Sequence, residues 1–83
     1  MRTEQETFEI VRKIVARKAE LPEEAISMGS DFRNDLQISS IVIVSIVLAV
    51  ETEFGMELSD EDIVKLATVG DAVRFIVENS PGP

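Results

Sequence analysis

Ser39-Ser40-Ile41-Val42-Ile43-Val44-Ser45-Ile46-Val47-Leu48-Ala49-Val50-Glu51-Thr52-Glu53-Phe54-Gly55 is the stretch on which the fold turns. Seven of the ten residues from Ile41 to Val50 are β-branched, a composition that favours a pleated strand. Two features oppose a strand. The run lacks period-two alternation, and it continues through Leu48, Ala49, Glu51 and Glu53 to Phe54 before stopping at Gly55, a residue that readily ends a helix. Wound at about 100° per residue, Ile43, Ile46, Val47, Val50 and Phe54 make one core stripe. Ile41, Val44 and Leu48 make a second, roughly 80–160° from the centre of the first. Tertiary packing overrides a weak local propensity, so residues 40–54 are read as a helix with two apolar faces.

Upstream, residues 4–19 read as an amphipathic helix, with Thr7, Phe8, Val11, Ile14 and Val15 on one face. Thr3 followed by Glu6 fits a capping box at its start, and Arg12, Lys13 and Arg17 fall on the outer, solvated side. Residues 20–39 form a long connection in which Pro22 starts a short turn through Glu23 and Glu24, and Gly29-Ser30-Asp31 marks another. A loop of this length in a compact domain is functional or packs on itself; Ile26, Met28, Phe32 and Leu36 are spaced to pin it to the core. Downstream, Ser59 precedes Asp60, Glu61 and Asp62, an N-cap and three acids suited to the positive end of a short helix reaching about Leu66. Thr68 caps a last helix, residues 69–79, with Val69, Ala72, Val73, Ile76 and Val77 at helical spacing, and Ser80-Pro81-Gly82-Pro83 is read as a flexible tail. The expected fold is all-α: a small four-helix bundle of three longer helices and one short one, with a long loop between the first two. It forms one domain over residues 1–83, ordered over about 4–79.

Composition narrows the function. The 83 residues include no Cys, His, Trp or Tyr, which excludes a disulfide framework and a thiolate metal site and removes the commonest general base. A serine without a neighbouring base is a poor nucleophile, so no catalytic residue and no metal ligand is nominated. Sixteen acidic against eight basic side chains give a net charge of −8. Residues 1–18 hold five of the bases, whereas residues 19–83 hold three bases and thirteen acids. So negative a body repels nucleic acids and anionic membranes and suits partners with basic docking patches. The N-terminus shows no secretory pattern, and the apolar run Ile41–Val50 is about half of what a membrane span needs. A cytoplasmic monomer without membrane insertion is expected.

Asp35-Leu36-Gln37-Ile38-Ser39-Ser40-Ile41, followed by an apolar helix ending in Val50-Glu51-Thr52-Glu53-Phe54-Gly55, resembles the acyl carrier protein signature, Asp-Leu-Gly-x-Asp-Ser-Leu and then a helix ending near Glu-Glu-Phe-Gly. Glu57-Leu58-Ser59-Asp60-Glu61-Asp62 is similar to the family's short third helix, and Ala67-Thr68-Val69-Gly70-Asp71-Ala72-Val73 to its entry into the last one, so the resemblance runs in order over residues 4–79. It implies a carrier rather than an enzyme. The serine of the Asp-Ser-Leu position receives 4′-phosphopantetheine from coenzyme A through a phosphopantetheinyl transferase, and acyl intermediates ride on the arm as thioesters. Acyl-transferring, ketosynthase or ligase-type enzymes are the implied partners, in fatty-acid-like, polyketide or specialised lipid biosynthesis. Counting from Asp35-Leu36 puts the attachment serine at Ser40. A helix beginning at Ser40 agrees, because Ser39 is then the N-cap with its hydroxyl engaged by a backbone N–H, while Ser40 at the first helical position keeps its hydroxyl free. A phosphodiester there lies beside unpaired N–H groups and the positive end of the helix dipole. Under that resemblance a core of Val, Ile and Ala either opens between helices around an acyl chain or stays closed, and the sequence fits both.

The chain departs from the family at Ser39, which replaces Asp, and at Ile41, which replaces Leu; both substitutions keep a cap and an apolar neighbour. Val42 and Ser45 stand where fatty-acid carriers often have acids, leaving Glu51 and Glu53 toward the helix end. The docking surface implied is therefore apolar, made by Ser39, Ile41, Val44 and Leu48 with Glu51, and a specialised pathway is expected. Two alternatives stay open. One is a peptidyl or aryl carrier of a nonribosomal peptide pathway, against which the acidity and Asp35-Leu36 weigh. The other is an unmodified helical adaptor using residues 41–54 as an interface.

Overall fold

Four helices and one 3₁₀ turn follow from these local signals. A computed structural model describes residues 2–80; positions 81–83 of the expected tail lie outside the described residues. The elements are α1 (Glu4–Ala19), the 3₁₀ turn (Glu23–Ala25), α2 (Ser40–Phe54), α3 (Asp60–Val64) and α4 (Val69–Asn79), with no strand among the described residues.

Each helix starts on a Ser or Thr whose hydroxyl accepts a backbone N–H: Thr3 from Glu6, Ser39 from Val42, Ser59 from Asp62 and Thr68 from Asp71. Three of these are reciprocal capping boxes, at Thr3/Glu6, Ser59/Asp62 and Thr68/Asp71. The β-branched run is helical, as expected. It ends on Gly55 in the left-handed conformation (φ 62°), with the Gly55 and Met56 N–H groups both donating to the Glu51 carbonyl.

Helix α1 packs against both α4 and α2. The core joins Val11, Ile14 and Val15 of α1 to Ile46, Val50 and Phe54 of α2 and to Val69, Val73 and Ile76 of α4. Burial of each such side chain is worth about 1.5–3 kcal/mol, enough to overrule the strand propensity of α2. Ile43 and Val47, assigned to the same stripe, are only half-buried.

The long loop is stitched to the start of α4 by backbone bonds. Phe32 N–H donates to the Ala67 carbonyl (3.0 Å), Val69 N–H to that of Ser30 (2.9 Å) and Gly70 N–H to that of Met28 (2.7 Å). Ile26, Phe32 and Ile38 are buried, with Met28 and Leu36 packed against them. The loop is thus a packed wall of the bundle, which satisfies its backbone where solvent is excluded.

Two expectations are corrected. α3 ends at Val64 rather than near Leu66, because the chain tightens there: Lys65 N–H reaches the Asp62 carbonyl and Leu66 N–H that of Ile63 (3.1 Å), three-residue bonds that close the helix early. Arg12 is not simply on a solvated face. It is half-buried, pairs with Glu9, approaches Glu23 (3.7 Å) and stacks over the Phe8 ring (5.2 Å to the centroid). Its aliphatic stem covers apolar surface while the head keeps its charge partners.

Candidate functional site

The site is built where the long loop enters α2. Asp31 shapes the approach. Its Oδ1 accepts the N–H groups of Arg33 (2.9 Å) and Asn34 (2.8 Å), and its own N–H donates to Asp35 Oδ2 (2.8 Å). Short polar side chains that capture nearby backbone N–H groups in this way rigidify turns. Gln37 then adopts a left-handed conformation (φ 54°) at the position where the carrier signature has glycine. That reversal drops Ile38 into the core, its N–H donating to the Phe32 carbonyl (2.9 Å). The next residues, Ser39 and Ser40, emerge on the surface.

The two serines differ in what holds them. Ser39 is the N-cap (φ −73°, ψ 163°), its hydroxyl accepting the Val42 N–H at 3.4 Å. Ser40 is the first residue of α2 and is exposed. Its Oγ accepts a hydrogen bond from the Arg33 guanidinium at 2.8 Å, its one hydrogen-bond partner among the described residues. Arg33 forms no ion pair with a carboxylate among the described residues. These residues fit a covalent phosphate ester: an accessible hydroxyl oxygen, uncommitted to backbone capping, with an uncompensated cation beside it.

The remaining predicted residues divide. Ile41, Val44 and Leu48 are 81%, 57% and 58% exposed, so the second apolar stripe of α2 lies open and leads directly away from Ser40. Glu51 is set apart from them. It is half-buried, and its Oε2 accepts the Leu58 N–H (2.8 Å), tying down the chain after α2 rather than standing free. Beneath the site is a cavity of about 440 Å³. Its walls include Ile46 and Val50 of α2, Ile63 of α3 and Ile76 of α4, and its polar lining includes Arg33 and Asn34. Sequence reasoning missed Arg33. Its charge is plain in the sequence, but its direction depends on the turn made at Asp31 and Gln37.

No group of three or more acidic side chains able to hold a metal ion occurs among the described residues. None of the helices described is long and apolar enough to cross a membrane.

Known proteins resemble the chain over nearly its whole length. The family model described as "Phosphopantetheine attachment site" matches residues 9–76. The acyl carrier protein of Lactobacillus acidophilus is 38% identical over 74 residues, covering 89% of this chain and 92% of that relative.

Proposed function

The chain belongs to the acyl carrier protein family, and from that premise we propose that its arm is borne by Ser40 and that it serves a specialised acyl-assembly pathway. It is a carrier rather than an enzyme, and its prosthetic group is covalent 4′-phosphopantetheine. When attached, the arm supplies the terminal thiol that this cysteine-free chain lacks, on which an acyl group stays activated as a thioester.

The observation that carries the assignment is the contrast between neighbouring hydroxyls. Ser39 is spent on the backbone of α2, whereas Ser40 is exposed and its hydroxyl has a cation as its one hydrogen-bond partner among the described residues. Ser40 needs no base within the chain, because a phosphopantetheinyl transferase activates it in the complex. Any enzyme working at Ser40 lies over the first turns of α2 and so meets Ile41 and Val44, with Leu48 one turn further. We assign these residues, flanked by Ser39, as the docking face, with Glu51 supporting the far end of the helix. Val42 and Ser45 leave the first turns of α2 without charge, which favours partners that read apolar shape over those that read acids. That supports polyketide or unusual-lipid assembly, with ketosynthase-, acyltransferase- or ligase-type partners, over general fatty-acid synthesis. The same reading takes residues 1–83 as one cytoplasmic, monomeric domain. The cavity under α2 offers an apolar shelter for the cargo.

Intact-mass analysis after incubation with coenzyme A and a promiscuous phosphopantetheinyl transferase tests the assignment. One arm is expected on the parent protein and on Ser39→Ala, and none on Ser40→Ala. An arm retained in Ser40→Ala refutes it.

A further inference from the structure

We infer that Arg33 is the positioning residue for the arm, holding its phosphodiester at the base of α2 and starting the arm on the side of the cavity. The inference rests on attachment at Ser40.

Three observations converge on Arg33. First, its guanidinium donates to Ser40 Oγ at 2.8 Å. In the loaded protein that oxygen is bonded directly to phosphorus, so the charge of the phosphodiester arises next to the atom that the guanidinium already reaches. Second, the cation is paired with no carboxylate among the described residues. The carboxylates closest to it in sequence are both occupied by backbone N–H groups, Asp31 by those of Arg33 and Asn34 and Asp35 by that of Asp31. Arg74, another of the few bases in the acidic body of the chain, is by contrast paired with Asp71. A guanidinium is suited to this task by its fixed fork of donors, which matches the geometry of phosphate oxygens. Third, Arg33 belongs to two places at once, because it also lines the cavity between α2, α3 and α4. A contact between Arg33 and the phosphodiester therefore selects, among the directions open to a flexible arm, those that begin over the cavity mouth rather than out along α2. The side chain is exposed and its backbone is held by Asp31, so the role is separable from folding.

The test compares the loaded parent with Arg33→Gln and Arg33→Lys by ³¹P NMR, after intact-mass and fragment analysis has located the arm in each. The parent phosphodiester resonance is expected to differ from that of Arg33→Gln. It should move toward the Arg33→Gln position as salt rises to about 1 M, where the screening length falls to about 3 Å. Arg33→Lys, which keeps the charge but not the fork, should fall between them, and the Arg33 Nε–H signal of the parent should shift on loading. Thermal midpoints are expected to be unchanged in both variants. An arm on Ser40 in all three proteins, with coincident salt-independent ³¹P signals and an unmoved Arg33 Nε–H, overturns the role of Arg33 alone. An arm found on another residue overturns the Ser40 assignment, and this inference with it.

Discussion

Replacing Ile41 with Gln removes apolar surface from a face of α2 that the described chain leaves open. Ile41 is 81% exposed. Complete burial of such a side chain is worth about 1.5–3 kcal/mol, so a partner that covers the remaining exposed fraction gains about 1.2–2.4 kcal/mol from it. At about 1.4 kcal/mol per tenfold, the loss is roughly 7- to 50-fold in affinity. Val44 and Leu48, 57% and 58% exposed, scale to about 0.9–1.7 kcal/mol each, or roughly 4- to 16-fold. These are ceilings, reached only if the partner covers the side chain fully. Gln is at least as good a helix former as Ile or Val and close to Leu, so Ile41→Gln should melt with the parent. Val44→Gln and Leu48→Gln, whose side chains are already about two-fifths covered, should lose at most about 1.3 kcal/mol of stability. The assay is arm transfer from coenzyme A with the apo-protein as varied substrate. Losing contacts made equally in the encounter complex and the transition state raises KM and leaves kcat unchanged. The order expected is Ile41→Gln weakest, then Val44→Gln and Leu48→Gln. KM values indistinguishable from the parent for all three refute the docking face. A lowered thermal midpoint in Ile41→Gln refutes the premise that its side chain is unpacked.

Two further predictions concern the frame that holds the site. A Cβ at Gly70 would lie 2.8 Å from the Met28 carbonyl oxygen, a backbone atom already bonded to Gly70 N–H at 2.7 Å. Gly70→Ala should therefore cost about 1–3 kcal/mol by forcing the loop off α4; an unchanged denaturant midpoint would show that the seam yields freely. Asp71 closes the capping box of α4, and its carboxyl lies below the usual carboxylate range. Hydrogen bonding from the Thr68 backbone is the main cause, aided by Ala67 N–H and Arg74 against an opposing desolvation. A lowered folded-state pKa stabilises above the unfolded-state value, near 3.8, and that contribution disappears as pH falls through the folded value. The stability advantage of the parent over Asp71→Asn should thus be level near neutrality and shrink below about pH 4. An advantage independent of pH down to acid unfolding would count against the ionised carboxylate as the stabilising species.

Local rules carried most of what was legible in advance. The four N-caps, the limits of α1, α2 and α4 and the stop at Gly55 each depend on residues within a turn of one another, and side-chain periodicity reports which faces are apolar. The same rules separated Ser39 from Ser40, because a capping hydroxyl is a property of position in the helix. Periodicity does not say what covers a face. The half-burial of Arg12 and the early end of α3 followed from contacts outside that pattern. So did the tie from Glu51 to Leu58 and the seam joining residues 28–32 to residues 67–70. The seam uses backbone atoms, which every residue has, and leaves no side-chain signature. Arg33 is the sharpest case: it meets Ser40 across seven positions only because Gln37 accepts a left-handed backbone and Asp31 gathers the turn. From the chain alone came an all-α carrier with an accessible serine at the start of α2. Tertiary structure alone decided which charge faces that serine, because a turn's direction is set by conformations and long-range bonds that residue identities do not encode one by one.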